Sequence, residues 1–215
     1  MAVIDFLLHF DKHLLDIVSA YGPWVYAILF GIIFVETGVV IWPFLPGDSL
    51  LFAAGALCAT GALSTPLTAG LLVAAAFGGD AVNYSIGRYI GPRVFASAGD
   101  GGFSHRLLNR DHLNRAHEFF EKYGGKAVIM GRFVPIVRTF VPFVAGAAEM
   151  TRRTFVLYNI VGAILWVCLC LGAGVMFGNI PVVKNNFSLV TIGIVAVSLL
   201  PMVIEFITHR RQRSA

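Results

Sequence analysis

The sequence predicts an all-α integral membrane protein, and three observations support this class. Of its 215 residues, 57% are hydrophobic and only 13% are charged, a composition unlike that of a water-soluble domain. No Asp, Glu, Lys or Arg occurs in residues 17–35, 49–79, 154–183 or 185–204. A helix over such a tract, at 1.5 Å per residue, is long enough to cross about 30 Å of hydrocarbon. The buried helix of a soluble protein keeps a polar face, which these tracts lack.

Residues 1–20 are predicted to form an interfacial helix. Acidic side chains replace the basic region of a signal peptide and no small-residue cleavage pattern follows, so the segment is expected to stay on the chain. Polar and apolar positions fall on opposite faces of a helix, a pattern typical of helices that lie on a bilayer surface. The polar face holds Asp5, His9, Lys12 and Asp16, and the apolar face holds Phe6, Phe10, Leu14 and Ile17.

Clustering of the basic residues predicts the orientation of the chain. The net charge of +4 arises mainly in a connector at residues 93–126, at Arg152 and Arg153, and in a basic tail at 209–215. Lys and Arg concentrate at the cytoplasmic ends of membrane segments, so we expect these regions and the C-terminus in the cytoplasm. No nucleic-acid-binding motif accompanies the charge, and nucleic acid is not an expected partner.

The apolar stretch at residues 127–150 is predicted to form a re-entrant hairpin. Its flanks, the connector at 93–126 and Arg152, are both expected in the cytoplasm, so the stretch cannot make a single crossing. Pro135 and Pro142 are expected to supply the breaks at which the chain turns back.

Residues 39–60 are also predicted to form a re-entrant hairpin, which enters from the outer face. In chain order this is the first hairpin, and the one at 127–150 is the second. Its breaks are expected at Pro43, Pro46 and Gly47. The two halves of the chain, residues 23–92 and 127–208, then become inverted copies. A faint echo supports this, because the tripeptide Ala-Gly-Ala follows Phe-x-Pro in both hairpins, at 54–56 and at 145–147. Paired, Pro/Gly-interrupted hydrophobic segments are typical of the midplane site of a transporter.

Four charges fall within or beside the hairpins: Glu36 and Asp48 in the first half, and Arg132 and Arg138 in the second. Each charge costs roughly 2.5–3.5 kcal/mol at the centre of a spanning helix, so these must be paired or hydrated. Opposed hairpins would bring the two signs together near the midplane. Ion pairs with a purely structural role remain the alternative to a transport site.

The choice of arginine at residues 132 and 138 indicates an anionic ligand. A planar guanidinium holds phosphate or carboxylate with two parallel hydrogen bonds and stays ionised when buried. Pro135 lies between the two positions, so a turn there is expected to direct both guanidinium groups toward one point. Burial disfavours the charged forms of Glu36 and Asp48 unless the arginines offset it, and proton coupling follows as one alternative.

A polar stripe is predicted along one face of the next helix, formed by Asp80, Asn83, Tyr84 and Arg88. Two interpretations carry equal weight: helix packing with Asp80 in a buried pair, and a direct role in transport. The GxxxG spacing at residues 174–178 is expected to serve helix packing only.

No feature predicts a catalytic or metal centre. The six histidines fall in polar segments, and the three cysteines fall in apolar tracts without the spacing of metal ligands. We therefore expect no metal, no cofactor and no enzymatic activity. A lipid phosphatase, or a scaffold without transport, forms a third class that the residues leave open.

Three motifs carry a resemblance that covers nearly the whole chain: FLPGDS at 44–49, GDAVNYSIGR at 79–88 and GRFVPIVRT at 131–139. The chain resembles the bacterial DedA family and, more distantly, the eukaryotic VTT-domain lipid scramblases. This resemblance implies a multi-pass protein of the bacterial inner membrane with two facing re-entrant hairpins, needed for envelope integrity. Several members are linked to moving undecaprenyl phosphate, and others look like proton-dependent transporters. The acidic and arginine positions essential in the family match Glu36, Asp48, Arg132 and Arg138.

The leading hypothesis is a flippase for a lipid phosphate carrier, undecaprenyl phosphate or a related phospholipid, with protons as a further partner and homo-oligomerisation left open. Arg132 and Arg138 would bind the phosphate, and Glu36 and Asp48 would gate it. The alternative is a proton-coupled exporter of cations or cationic drugs, against which the two arginines argue. The residues expected to support the site are Asp80, Asn83, Tyr84, Arg88, Pro46, Gly47, Pro135 and Pro142.

Overall fold

A computed structural model describes residues 22–38, 47–97, 120, 123–178 and 180. Within this part all regular secondary structure is helical, which confirms the predicted all-α class there. The helices are α1 (Trp24–Gly38), α2 (Gly47–Ala59), α3 (Thr65–Ser97), α4 (Lys126–Arg132), α5 (Pro135–Ala147) and α6 (Arg152–Phe177).

Two of the described helices are long and apolar enough to cross a membrane. The apolar part of α3, Thr65–Gly91, has 27 residues and α6 has 26, so each is about 40 Å long at 1.5 Å per residue. All of α6 except Arg152 and Arg153 falls in the charge-free tract at 154–183, and the first part of α3 falls in the tract at 49–79. The other helices of the described part are too short to cross unaided.

Large apolar side chains dominate the exposed surface of these helices. The exposed fraction reaches 62% for Leu169 and 73% for Met176 on α6, and 71% for Trp24 at the start of α1. Exposed apolar residues in this density disfavour contact with water. The helix surfaces therefore fit a hydrocarbon solvent, in which the helices satisfy the backbone polar groups internally.

Helices α4 and α5 form a helix–turn–helix inside the predicted hairpin segment. Helix α4 ends at Arg132, and Val134 has an extended backbone with φ −107° and ψ 111° immediately before α5. Pro135 is the first residue of α5, where its missing N–H has no helical partner to lose. The predicted break at Pro135 is confirmed.

The break predicted at Pro142 is wrong. Helix α5 continues through Pro142 to Ala147. A proline removes one backbone hydrogen bond from a helix, and helices in membrane proteins tolerate this loss where neighbouring groups surround the freed carbonyl. Pro142 is buried and the helix persists through it, so a single turn separates α4 from α5.

The chain divides into two compact units, one of residues 1–30, 44–72 and 167–215, the other of residues 31–43 and 73–166. In the first unit α2 packs on the second half of α6 through glycines. A Cβ on Gly55 would collide with the carbonyl oxygen of Leu171, and one on Gly174 with that of Phe52. The predicted packing role of the GxxxG spacing at 174–178 is confirmed.

The second unit repeats this packing between α5 and α3. A Cβ on Gly146 would collide with the carbonyl oxygen of Tyr84, and one on Gly87 with that of Phe143. The Ala-Gly-Ala tripeptides of α2 and α5 thus make equivalent contacts, each with a glycine of a long helix. The repeated Ala-Gly-Ala tripeptide therefore corresponds to the same kind of close helix crossing in each unit.

Several predicted segments lie outside the described residues. They are the interfacial helix at 1–20, the start of the first hairpin including Pro43 and Pro46, most of the connector at 93–126, the charge-free tract at 185–204 and the tail at 209–215.

A buried cluster of two arginines and two carboxylates

Four charged side chains are buried in the second unit. Their exposed fractions are 1% for Glu36, 2% for Asp80, 4% for Arg132 and 7% for Arg138. Among the described residues, these four are the only buried Asp, Glu, Lys or Arg side chains. Two acids balance two bases, so the cluster is neutral overall, as a site without water requires.

Arg138 and Glu36 form the first ion pair, between Nη2 and Oε1. Glu36 lies near the end of α1 and Arg138 in the first turn of α5. An acid of the first half thus meets an arginine of the second hairpin, as the balance of charges predicts. A charge-assisted hydrogen bond of this kind is about twice as strong as one between neutral groups.

Arg132 and Asp80 form the second ion pair. The Nη2 atom of Arg132 also donates to Oδ1 of Asn159 at 2.8 Å and to the carbonyl oxygen of Ala76 at 3.4 Å. Asn159 is fully buried, and its own Nδ2 donates to the carbonyl oxygen of Phe77 at 3.2 Å. Arg132, the last residue of α4, is therefore held by α3 and α6 together.

Both guanidinium groups pack against Trp166 of α6. The Cζ atoms of Arg132 and Arg138 lie 5.8 Å and 4.8 Å from the centroid of its ring. Trp166 is 2% exposed, and a cation against an indole away from water gains about 2 kcal/mol or more. The turn before Pro135 thus allows both arginines to contact one aromatic ring. The convergence of the two guanidinium groups on one ligand stays a prediction.

Asn83 connects three helices beside the cluster. Its Nδ2 donates to the carbonyl oxygens of Thr139 on α5, at 2.7 Å, and of Thr37 on α1, at 3.3 Å. These bonds hold the segments that carry Arg138 and Glu36 against α3. Asn83 thereby fixes the distance between the two partners of the first ion pair.

The other end of the polar stripe anchors a turn. The hydroxyl of Tyr84 donates to the carbonyl oxygen of Met150. Arg88 Nη1 donates to the Tyr84 hydroxyl at 3.0 Å and to the same carbonyl at 3.2 Å. The Tyr84 ring stacks on Phe155 with centroids 4.2 Å apart. In the adjoining turn Glu149 is exposed and has φ 58°. The stripe is thus divided: Asp80 and Asn83 belong to the charge cluster, and Tyr84 and Arg88 hold the start of α6.

Asp48 lies in the other unit, so it is described apart from the cluster. It occupies the first turn of α2 and is half-buried, after Gly47, the buried first residue of that helix. A carboxylate in the first turn is favoured by the helix dipole. The gating role of Asp48 stays a prediction.

Sequence reasoning missed three contributors to the site, and assigned Asp80 no definite partner. Asn159 and Trp166 both lie in the charge-free tract at 154–183, where an amide and an indole are the strongest hydrogen-bonding side chains of the buried helix face. A polar side chain that must find a partner within the membrane is a usable signal. Thr139 contributes a backbone carbonyl, for which the sequence holds no signal.

The cluster suits the binding of an anion by exchange. Both arginines are bonded to internal carboxylates and carry planar forks with several donors. A phosphate that replaces a carboxylate keeps such bonds and adds oxygen acceptors. Among the described residues no group of three His, Cys, Asp or Glu side chains is arranged to hold a metal ion.

Long apolar helices around a buried charge cluster indicate a helical membrane protein. The family model of the VTT domain matches residues 45–176. The chain is 52% identical to Protein DedA of Escherichia coli (strain K12) over 211 residues, 97% of this chain and 94% of that protein. The chain belongs to the DedA family of membrane proteins.

Two further relatives show how widely the likeness extends. An uncharacterized membrane protein of Mycobacterium tuberculosis (strain CDC 1551 / Oshkosh) is 40% identical over 205 residues, 92% of this chain and 87% of that protein. Inner membrane protein YqjA of Escherichia coli (strain K12) is 39% identical over 157 residues, 73% of this chain and 69% of that protein. No solved structure matches the chain.

Proposed function

We propose that the chain is a translocase of lipid phosphates in the bacterial inner membrane, with undecaprenyl phosphate or a related phospholipid as substrate. The observation that carries this proposal is the burial of two arginine–carboxylate pairs against the single ring of Trp166. Arg132 and Arg138 bind the phosphate head while the lipid tail stays in the bilayer. The name of the relative YqjA supports the inner membrane as the location.

The chemistry of two arginines favours a phosphate over other ligands. Two guanidinium groups beside one ring supply more donors than a carboxylate can accept, whereas a phosphate monoester offers three oxygens and up to two negative charges. Lysine would provide a point charge without this planar match. A phosphate head is therefore the ligand that uses the whole arrangement.

In the state described here the forks are occupied by internal carboxylates. Glu36 and Asp80 balance the charges of the two arginines. Protonation or displacement of these acids frees the guanidinium groups for the phosphate. We assign this gating step to Glu36. Asp48, at the start of α2, is proposed as the acid with the corresponding role on the other hairpin.

The short helices of the second hairpin support a re-entrant path. Helix α4 has 7 residues and α5 has 13, which correspond to about 10 Å and 20 Å. Neither covers the roughly 30 Å of a bilayer core. We propose that the segment enters from the cytoplasm, turns at Phe133–Val134 and returns, so that Arg132 and Arg138 lie near the midplane.

A flipping assay tests the proposal. The purified chain is reconstituted into liposomes with fluorescent undecaprenyl phosphate, and a membrane-impermeant quencher reports the rate of exchange between leaflets. Arg132→Gln and Arg138→Gln should each slow exchange roughly tenfold or more, because a charge-assisted hydrogen bond contributes about 1.5–3 kcal/mol. Arg153→Gln, which changes an exposed arginine, is the matched control and should exchange at the parental rate. Parental rates in all three variants would refute the proposal.

The alternative, a proton-coupled exporter of cations, lacks a supporting observation in the cluster. Each buried carboxylate there is bonded to an arginine, so an incoming cation meets no net negative charge. Efflux of a fluorescent cation that follows an imposed pH gradient would favour this alternative. Release of inorganic phosphate from the carrier lipid by the purified chain would favour an enzyme.

A further inference from the structure

We propose that Asp80 is the group that a lipid phosphate displaces from Arg132, and that Asp80 takes up a proton from water when it is displaced. The inference rests on the proposed function, because it concerns the headgroup bound by the same arginines. It goes further by assigning the exchange to an acid outside the hairpins and by stating how many protons accompany the headgroup.

The charge balance of the cluster requires compensation when an anion enters. Glu36 and Asp80 carry two negative charges, and Arg132 and Arg138 carry two positive ones, all at exposed fractions of 7% or less. A phosphate monoester brings about 1.5–2 further negative charges near pH 7. Uncompensated charge is strongly disfavoured away from water. Uptake of about one proton per added charge by the carboxylates restores neutrality.

Arg132 has neutral partners that hold it while Asp80 is protonated. Its Nη2 donates to Oδ1 of Asn159 at 2.8 Å and to the carbonyl oxygen of Ala76 at 3.4 Å. Asn159 is fixed in turn by the carbonyl oxygen of Phe77, at 3.2 Å. Because protonation of Asp80 leaves these acceptors unchanged, the guanidinium keeps its position and its charge becomes available to the phosphate.

Some buried polar atoms have no hydrogen-bond partner among the described residues. We assign to these atoms the new hydrogen bonds that form when the phosphate displaces Asp80. They include Nη1 of Arg132, Oδ1 of Asp80 and Oδ1 of Asn83, whereas buried polar atoms normally have partners. Nη1 of Arg132 is a donor for a phosphate oxygen. Oδ1 of Asp80 is the atom that receives the proton, which then forms an O–H bond. Asn83 lies three residues along the same helix face and offers an acceptor for that hydroxyl.

Besides Asp80, Glu36 is the other acid of the described cluster. It is bonded to Arg138 of α5, and α4 contributes Arg132 as the partner of Asp80 itself. Proton uptake by the cluster is therefore shared between two carboxylates. The remaining titratable or charged residues on the described helices of this unit are Tyr84, Arg88, Tyr89, Arg93, Lys126, Arg152, Arg153 and Tyr158.

The test counts protons bound by the full-length chain in detergent. Geranyl phosphate, a soluble isoprenyl monophosphate, is added near pH 7 in weak buffer with a pH indicator, and calorimetry gives the amount bound. The parental chain should take up about two protons per bound phosphate, and Asp80→Asn should take up about one fewer. Glu149→Gln, which makes the same change at an exposed acid, is the matched control and should behave as the parental chain.

Each outcome decides a different question. Undiminished proton uptake in Asp80→Asn refutes the inference and leaves the proposed function standing, whereas absence of geranyl phosphate binding to the parental chain refutes both. Should Asp80→Asn fail to fold, infrared difference spectra of the parental chain replace it. A new protonated-carboxyl band on ligand addition that shifts in Asp80→Glu supports the inference, and a spectrum without such a band refutes it.

Discussion

At the scale of single residues, the pair of Glu36 and Arg138 is the contact on which the cluster depends most clearly. Changing one partner leaves the other charged and buried, which costs roughly 3–5 kcal/mol, whereas changing both costs much less. We therefore expect the double variant Glu36→Gln/Arg138→Gln to unfold closer to the parental chain than either single variant. Thermal unfolding in detergent measures this. If the stability losses of the two single variants simply add in the double variant, Glu36 and Arg138 do not stabilise each other.

Asn159 should matter for stability as well as for the site. Asn159→Leu removes the acceptor of a hydrogen bond from the charged Arg132, for which we expect a loss of about 1.5–3 kcal/mol in the free energy of unfolding. Ser85→Ala is the control, because the exposed Ser85 hydroxyl bonds only the carbonyl of its own helix at Ala81 in the described contacts. If both variants unfold at the same denaturant concentration, Asn159 does not hold Arg132.

The residues of the site were predictable where their chemistry is conspicuous in an apolar sequence. Arg132, Arg138 and Glu36 could be identified because a charge within the membrane demands a partner. Asp80 could be identified as a candidate, but its partner Arg132 could not, because the sequence does not show that α3 and α4 lie side by side. Trp166 was missed because a buried indole in an apolar helix is more often a packing residue.

At the scale of helices, glycine contacts give a matched pair of substitutions on α6. A Cβ on Gly174 would meet the Phe52 carbonyl and the backbone of Gly55, whereas one on Gly172 would meet nothing within 4 Å. Gly174→Ala should lower the free energy of unfolding by about 1–3 kcal/mol, because the helices must separate. Gly172→Ala should be neutral or slightly stabilising. Denaturant unfolding compares the two, and equal midpoints would contradict the close crossing of α2 and α6.

The sequence predicted the helices better than their interruptions. The charge-free tract at 154–183 revealed α6 because length and hydropathy indicate whether a helix can span a bilayer. The tract at 49–79 is not one helix: it holds the end of α2, a turn and the start of α3. Pro135 and Pro142 look equivalent in the sequence, yet a proline starts a helix at one position and lies inside it at the other. Local chemistry permits both outcomes, and the surrounding helices decide between them.

At the scale of the whole molecule, the re-entrant path that we propose for residues 127–150 predicts that both ends of this segment face the cytoplasm. Single cysteines at Tyr123 and Thr151, both exposed, are introduced after Cys58, Cys168 and Cys170 are replaced by serine. An impermeant maleimide should label both positions in inverted vesicles and neither in intact cells. Labelling of the two positions from opposite sides would mean that residues 127–150 cross the membrane.

The central claim is that Arg132 and Arg138 exchange their carboxylates for the phosphate of a lipid. A structure of the chain bound to a polyprenyl phosphate in a lipid nanodisc tests it most directly. We expect the phosphate within hydrogen-bonding distance of both guanidinium groups, with Asp80 and Glu36 moved away from them. A phosphate bound elsewhere, with both ion pairs intact, would contradict the account.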